Sequence, residues 1–459
     1  MLNLLIMVFS IGLALLMNGS SSEPYRQIAF LILTLPLLIT LTIRLTQPFF
    51  LRIWMASVAI MIALLAWLLL QSSPLPVDWF NHSVWYSLDQ VRISVQPTLS
   101  VAPSATRAAI PSLILPILVF LAIFVLCQER REAVFAWKAL ASIGLLLAGL
   151  SVLLELFFPQ TQFFSSFEVG RGSFNGIFVN RNTTAAFLAL VSFATSGWLM
   201  LPRPVARREW PEKNGLAAFG WARTILSVML FLLVISLILT RSRAGVSLAL
   251  LCLTLAFAAA SYFWSGAHIP KRKSPFRGLG RAVRLLLVFA AGGGIFVLFG
   301  DPVMSRMGMG TSDGRLCAWY AAWKMFSERP ILGLGFGTFA DAFPQYRDPD
   351  CLGQSGAWTR AHNSHLEFLA GMGLVGVVAS LCLLFTIISI LVRGIRTRKA
   401  LRPIPVFALG ALLFILLHSV VDFPLQIPGV ALYFSALMGA GCAISSLTRY
   451  PERRSSTLS

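Results

Sequence analysis

The chain has 459 residues, 57% hydrophobic and 12% charged, with a formal net charge of +19. Soluble domains carry roughly a quarter charged residues, so this balance and a mean hydropathy of +0.78 exclude a water-soluble enzyme. A pI near 10.7 would suit a nucleic-acid binder, but the basic residues fall in alternate loops between apolar runs. Membrane topology and anionic headgroups account for that pattern, and no nucleic-acid partner is expected.

Apolar runs long enough to cross about 30 Å of hydrocarbon fall at about 2–18, 27–43, 53–70, 110–127, 136–157, 183–201, 222–240, 244–264, 282–299, 368–392, 403–421 and 428–447. The first has no Lys or Arg before Arg26, so it lacks the basic start of a signal peptide and is expected to stay as a helix. Basic clusters follow alternate runs: Arg44 and Arg52; Arg130 and Arg131; Arg203, Arg207, Arg208 and Lys213; Lys271, Arg272, Lys273 and Arg277; Arg393, Arg396, Arg398 and Lys399; and Arg449, Arg453 and Arg454 in the tail. About twelve spans put all of them on the cytoplasmic face, with both termini inside and the whole net charge on that side. The expectation is one all-α membrane domain over 1–459, a polytopic bundle of about twelve transmembrane helices.

Two outer segments are long. The first, about 71–109, contains Pro74, Pro76, Pro97 and Pro103 and reads as an irregular cap. The second is the periplasmic loop at 300–367. Within it an amphipathic helix is expected from Asp313, a candidate N-cap, to Arg329, with Pro330 just beyond. Leu316, Trp319, Tyr320, Trp323 and Phe326 share one side, and Arg315, Lys324 and Glu328 lie elsewhere. Such a stripe suits the membrane interface or the roof of the bundle, and equally a face packed on neighbouring helices. Of six cysteines, Cys127, Cys252, Cys382 and Cys442 lie in or beside spans. Cys317 and Cys351 lie outside, either bridged or as free thiols.

An ionisable residue inside a bilayer is costly and usually functional. The expected spans are nearly free of them. Ionisable groups gather instead at the outer boundary: Arg171, Arg181, Arg241, Arg243, Arg315, Arg360, His362, His365, Glu367, His418 and Asp422. Three segments carry most of them. From Gly172 to Thr184, amides and Arg181 directly precede a span; Asn180 and Asn182 either cap that helix or face a ligand. In Leu239-Thr240-Arg241-Ser242-Arg243-Ala244-Gly245, two arginines interrupt an apolar stretch, either as a snorkelling turn or as guanidinium forks for phosphate oxygens. In Arg360-Ala361-His362-Asn363-Ser364-His365, a histidine stands where a proton acceptor for chemistry near neutral pH would be wanted. The H-x-x-H spacing lacks a third metal ligand, and no metal or other cofactor is expected. Gly333-Leu334-Gly335-Phe336-Gly337 reads as a close-packed turn, and His418 with Asp422 as an orienting pair or a helix end.

Taken together and in order, these segments resemble the O-antigen ligase and polysaccharide polymerase superfamily of bacterial inner membranes. The 239–245 segment is similar to that family's LTxSRxG signature. Gly314-Arg315, Trp319 and Pro330 to Gly335 resemble its second block, and Ala361 to Leu366 with Gly371 to Gly376 its third. Phe178 to Asn182 and His418 to Pro424 look like further family segments. The likeness covers about 170–430, the expected catalytic region; Ala370 stands where many relatives carry an acid.

The resemblance implies a GT-C-like bundle performing metal-independent, inverting glycosyl transfer at the periplasmic side of the inner membrane. The donor would be a glycan on undecaprenyl diphosphate, and the acceptor another glycan or a lipid-A core, with membrane lipids around the bundle. Arg243 and Arg315 would act with His362 in catalysis, His362 as base. Arg181, Arg241, Asn180, Asn182 and Asn363 would bind diphosphate and glycan. A transporter or flippase for lipid-linked sugars is the competing reading; it would require midplane charge and broken helices.

Overall fold

The computed structural model describes residues 1–22, 24–40, 43, 48–90, 95–158, 174–202, 215–265, 314–348 and 358–447. The expected span at 282–299, Arg44, Arg171, Asp313, Cys351 and the basic clusters at 203–213, 271–277 and 449–454 lie outside these residues. The described chain is helical: α1 Leu2–Leu16, α2 Tyr25–Thr40, α3 Pro48–Ser72, α4 Val84–Gln90, α5 Pro103–Leu126, α6 Arg130–Phe157, α7 Arg181–Leu199, α8 Gly215–Leu239, α9 Arg243–Ser265, α10 Gly314–Glu328, α11 Phe339–Tyr346, α12 Ser364–Thr397, α13 Pro403–His418 and α14 Pro428–Ser446. Among the described residues, seven helices are long and apolar enough to cross a membrane: those in α3, α5, α6, α8, α9, α12 and α14; α1, α2 and α13 are shorter apolar helices. The chain is therefore a polytopic helical membrane protein, and its described residues hold seven qualifying spans against the twelve expected of the whole chain.

α14 is the buried centre of the bundle. Its small residues let neighbours approach: Gly439 lies against the Phe120 carbonyl of α5 and Gly441 against Ala408 of α13. Tyr433 on α14 donates its hydroxyl to the Leu140 carbonyl of α6 at 2.9 Å.

The expected irregular cap is more ordered than its prolines suggest. It contains α4, and α5 starts at Pro103, earlier than the hydropathy run, because proline is tolerated in a first helical turn. The aromatic stripe of α10 divides: Trp319 and Phe326 are half-buried, and Phe326 packs against the buried alanines. The helix buries Ala318, Ala321, Ala322 and Met325, while Leu316, Tyr320 and Trp323 stay exposed.

The glycine-rich turn after α10 wedges into a break in α12. Gly373 has φ +62° and ψ −173°, which interrupts the helix. The freed groups are taken up: Leu334 N–H donates to the Ala370 carbonyl and Gly335 N–H to Gly371 (3.0 Å each), and Leu374 N–H to Pro330 (2.9 Å). Gln71, buried at the end of α3, donates its amide to the Leu332 and Gly371 carbonyls and accepts the Phe336 N–H. Trp67 closes the gap by donating to the Met372 carbonyl at 3.0 Å. Gly333 has φ +71°, and a Cβ there would sit 2.4 Å from the Gly371 carbonyl oxygen. Gly333→Ala is accordingly expected to destabilise the protein by more than the roughly 1–3 kcal/mol of backbone strain alone. A lowered unfolding midpoint in detergent would register it, and an unchanged midpoint would contradict this packing.

The cap is tied to α10 through His82. Its Nδ1 accepts the Val84 N–H (3.1 Å), so the neutral ring carries its proton on Nε2, 3.0 Å from Glu328 Oε1. Tyr346 bonds the other Glu328 oxygen, and Arg329 donates to the Trp79, Phe80 and Asn81 carbonyls. Burial, opposed by Glu328 and assisted by Arg329, holds His82 below its ordinary value of 6.5. The folded protein then binds fewer protons than the unfolded chain just below that pH. This share of stability is complete above 6.5 and is lost on further acidification. Unfolding followed from about pH 7.5 to about pH 5.5 should show a steeper acid loss for the unaltered protein than for His82→Gln; parallel curves would refute the assignment.

Candidate functional site

Contacts along the helices fix which ends lie together. Arg223 on α8 donates to the Leu201 carbonyl just beyond α7 (2.7 Å), and at the opposite end Phe174 N–H donates to Leu239 (3.3 Å). α7 and α8 are thus antiparallel. Arg402, just ahead of α13, donates to the Phe263 carbonyl of α9 (3.1 Å), and Phe257 meets Phe407 midway at 4.9 Å between ring centroids. That antiparallel register brings the Arg243 end of α9 up beside the His418 end of α13. Gly245 of α9 lies against Ala185 of α7, where an added Cβ would be 2.7 Å from the alanine Cβ. The N-terminal turns carrying Arg181 and Arg243 therefore adjoin. Ser364 N–H donates to the Ser419 carbonyl (2.9 Å), which joins the start of α12 to the same end.

Asn180 and Asn363 are helix caps. Asn180 Oδ1 accepts the Asn182 N–H (2.8 Å), and Asn363 Oδ1 accepts the Leu366 N–H (3.0 Å). Both carbonyl oxygens are thereby committed, as the capping alternative required. The Arg241 turn has left-handed backbone, φ +53°. Thr240 shapes it, its hydroxyl donating to the Leu237 carbonyl and accepting the Ser242 N–H. Arg181, Arg241 and Arg243 are exposed. Among the described residues their side chains make no hydrogen bond or ion pair.

His362 is held in a strained conformation, φ +53°, which a non-glycine residue adopts only when its surroundings impose it. Those surroundings are explicit. Glu367, buried in the first turn of α12, accepts the Ala361 N–H (2.8 Å) and pairs with Arg360 (3.2 Å). Phe423 and Trp358 meet the imidazole edge-on, at 4.8 and 5.6 Å. Nδ1 is buried and lies 3.6 Å from Asp422 Oδ1, an approach longer than a hydrogen bond, while a quarter of the side chain stays exposed. Asp422 is in turn fixed, its Oδ1 accepting the Phe423 N–H (2.9 Å) and its carbonyl receiving both the N–H and hydroxyl of Ser364.

Arg315, in the first turn of α10, is near enough to His418 for its charge to act on that ring, as does Asp422. His362 and Asp422 thus face each other, and Asp422 and Arg315 both lie within electrostatic reach of His418, at the bundle end that also carries Arg181, Arg241 and Arg243. His365 points elsewhere, its Nε2 meeting the Leu416 carbonyl at 2.8 Å. The carboxylate facing His362 was not identified from sequence, where Asp422 was matched with His418 by their four-residue spacing. Besides acting on His418, Asp422 is brought by the fold to a residue sixty positions away. Cys317 is disulfide-bonded.

Residues 228–381 match the family model described as O-Antigen ligase. That stretch holds Arg241, Arg243, Arg315, His362 and Asn363, but neither Arg181 nor Asp422. No curated protein matches the chain.

Proposed function

The chain belongs to the O-antigen ligase superfamily, and from that premise we propose that it transfers a glycan from undecaprenyl diphosphate to an acceptor hydroxyl at the periplasmic face of the bacterial inner membrane. At family level, glycan transfer of the ligase or polymerase type, with a lipid-linked glycan and an acceptor as partners, follows from membership. The observation that carries the finer reading is the approach of His362 to Asp422, with Arg315 in electrostatic reach of the neighbouring His418, at the end of the bundle where Arg181 and Arg243 stand exposed and unpaired.

In this reading the acceptor oxygen attacks the anomeric carbon from the face opposite the diphosphate. Its proton passes to His362 Nε2, the bond from carbon to the diphosphate oxygen breaks, and the electron pair leaves with the diphosphate. Asp422 beside Nδ1 favours the tautomer that leaves Nε2 basic; contacts of this kind are often long before substrate binds. Arg181, Arg243 and Arg315 hold the diphosphate and stabilise the negative charge that grows on it, with Arg241 as a further phosphate contact. Asn180, Asn182 and Asn363 present amide groups to diphosphate or glycan. The disulfide at Cys317 supports an oxidising, periplasmic location for α10, and the basic loops support cytoplasmic termini.

The test is transfer itself: purified protein, donor and acceptor, with product read on a gel. A positioning role for Asp422 predicts that Asp422→Asn lowers kcat by about tenfold with KM little changed, less than the roughly 10²–10⁴ expected from losing the base. A loss confined to KM would remove Asp422 from that role.

The broken helix at Gly373 is a feature that a transporter would share. In transporters the freed backbone faces substrate. Here the carbonyls of Ala370, Gly371 and Met372 and the Leu374 N–H are all bonded within the protein, which favours a structural joint.

A further inference from the structure

α10 turns three of its large apolar side chains outward, while Trp319, Met325 and Phe326 lie half or wholly buried. Leu316, Tyr320 and Trp323 are 57%, 47% and 53% exposed, although alanines on the opposite side are buried. In water such a stripe on a helix tied down at its far end, through Glu328 and Arg329, would be a liability. The surface does not end with the helix. Ile331, 61% exposed, lies just past Pro330, and the Leu374 and Val375 N–H groups bond to the Pro330 and Ile331 carbonyls (2.9 and 3.3 Å). Ile331 therefore adjoins Leu374, the upper edge of the outward face of α12 that continues through Val378, Leu381 and Phe385. That lower face belongs to a helix long and apolar enough to span a membrane, so the exposed apolar surface reaches from the bilayer-facing side of α12 to Ile331, just past the end of α10. Lys324 folds its ammonium over the Tyr320 ring (4.3 Å to the centroid), keeping its charge beside the aromatic band.

We propose that α10 lies in the boundary layer of the outer leaflet, with Leu316, Tyr320 and Trp323 against acyl chains and Lys324 among anionic headgroups. The occupant of this face is bilayer lipid. Arg315, in the first turn of the same helix, then stands at headgroup depth, the level at which a lipid-borne phosphate would arrive.

The proposal is tested by spin labels on the full-length protein in vesicles of phosphatidylethanolamine and phosphatidylglycerol. Labels are attached at Leu316→Cys, Tyr320→Cys or Trp323→Cys, with the exposed thiol of Cys382 replaced by alanine. Val378→Cys serves as a lipid reference and Gln345→Cys, on the exposed side of α11, as an aqueous one. Collision with oxygen should exceed collision with a water-soluble nickel complex at all three α10 sites, as at the lipid reference, giving a positive logarithm of the ratio. Preference for nickel would make α10 a watery roof. Shielding from both reagents would mean that protein covers the face. Either result overturns the proposal, and none of the three depends on glycan transfer.

Discussion

Replacing His362 by alanine is expected to lower transfer by roughly the 10²–10⁴-fold that a positioned general base contributes. The variant is expected to reach the membrane at a normal level, because the ring is at the mouth of the bundle and a quarter exposed. The backbone supports this separation of folding from activity. Glu367 and Asn363 anchor the loop on either side of His362 through main-chain N–H groups that the substitution leaves intact. Alanine carries the same Cβ into the positive φ, so the substitution adds little to the backbone strain that histidine already bears. Gel analysis of the product, beside immunoblotting of membranes, separates the two effects. Full-length glycan at ordinary yield would remove His362 from the chemistry.

Loss of one of the arginines proposed to hold the diphosphate should be nearly as severe. Removing a preorganised group that meets developing negative charge costs about 10²–10³ in kcat, and Arg243→Ala and Arg315→Ala are each expected in that range. Lysine separates charge from geometry. It keeps the cation but loses the planar fork that grips two phosphate oxygens, so Arg243→Lys should recover only part of the rate. The two sites differ in an instructive way: Arg243 has no partner among the described residues, whereas Arg315 shares its surroundings with His418 and Asp422. Arg243→Ala should therefore leave stability untouched. A variant at either position retaining full kcat would remove that arginine from the site.

Much of this was legible in the residues, and the parts that were not share a physical reason. Hydropathy marks the long helices because the bilayer imposes length and apolarity on each one separately. α13, with 16 residues, and α1, with 15, fall short of that criterion once their boundaries are drawn by hydrogen bonding, since the flanking apolar residues belong to turns. The arginines, His362 and the capping asparagines were legible because their oddity is local: charge or amide beside an apolar run. Partnerships between distant segments were not. Nothing near Gln71 announces that it closes the break in α12, and nothing near His82 announces Glu328, because each pairing exists only after helices far apart in the chain have packed. The facing of α10 was undecidable for a related reason. Its alanines are as able to bury as its aromatics, and only the close approach of α12 and α11 selects the smaller side.

The most direct measurement uses purified protein in lipid with undecaprenyl-diphosphate-linked glycan and a glycan or lipid-A-core acceptor, without added metal. The arrangement of Arg243, Arg315 and His362 predicts a new glycosidic bond of inverted anomeric configuration and one undecaprenyl diphosphate released per bond formed, both absent in His362→Ala. Donor that crosses the bilayer unchanged, or product formed equally well by His362→Ala, would contradict it.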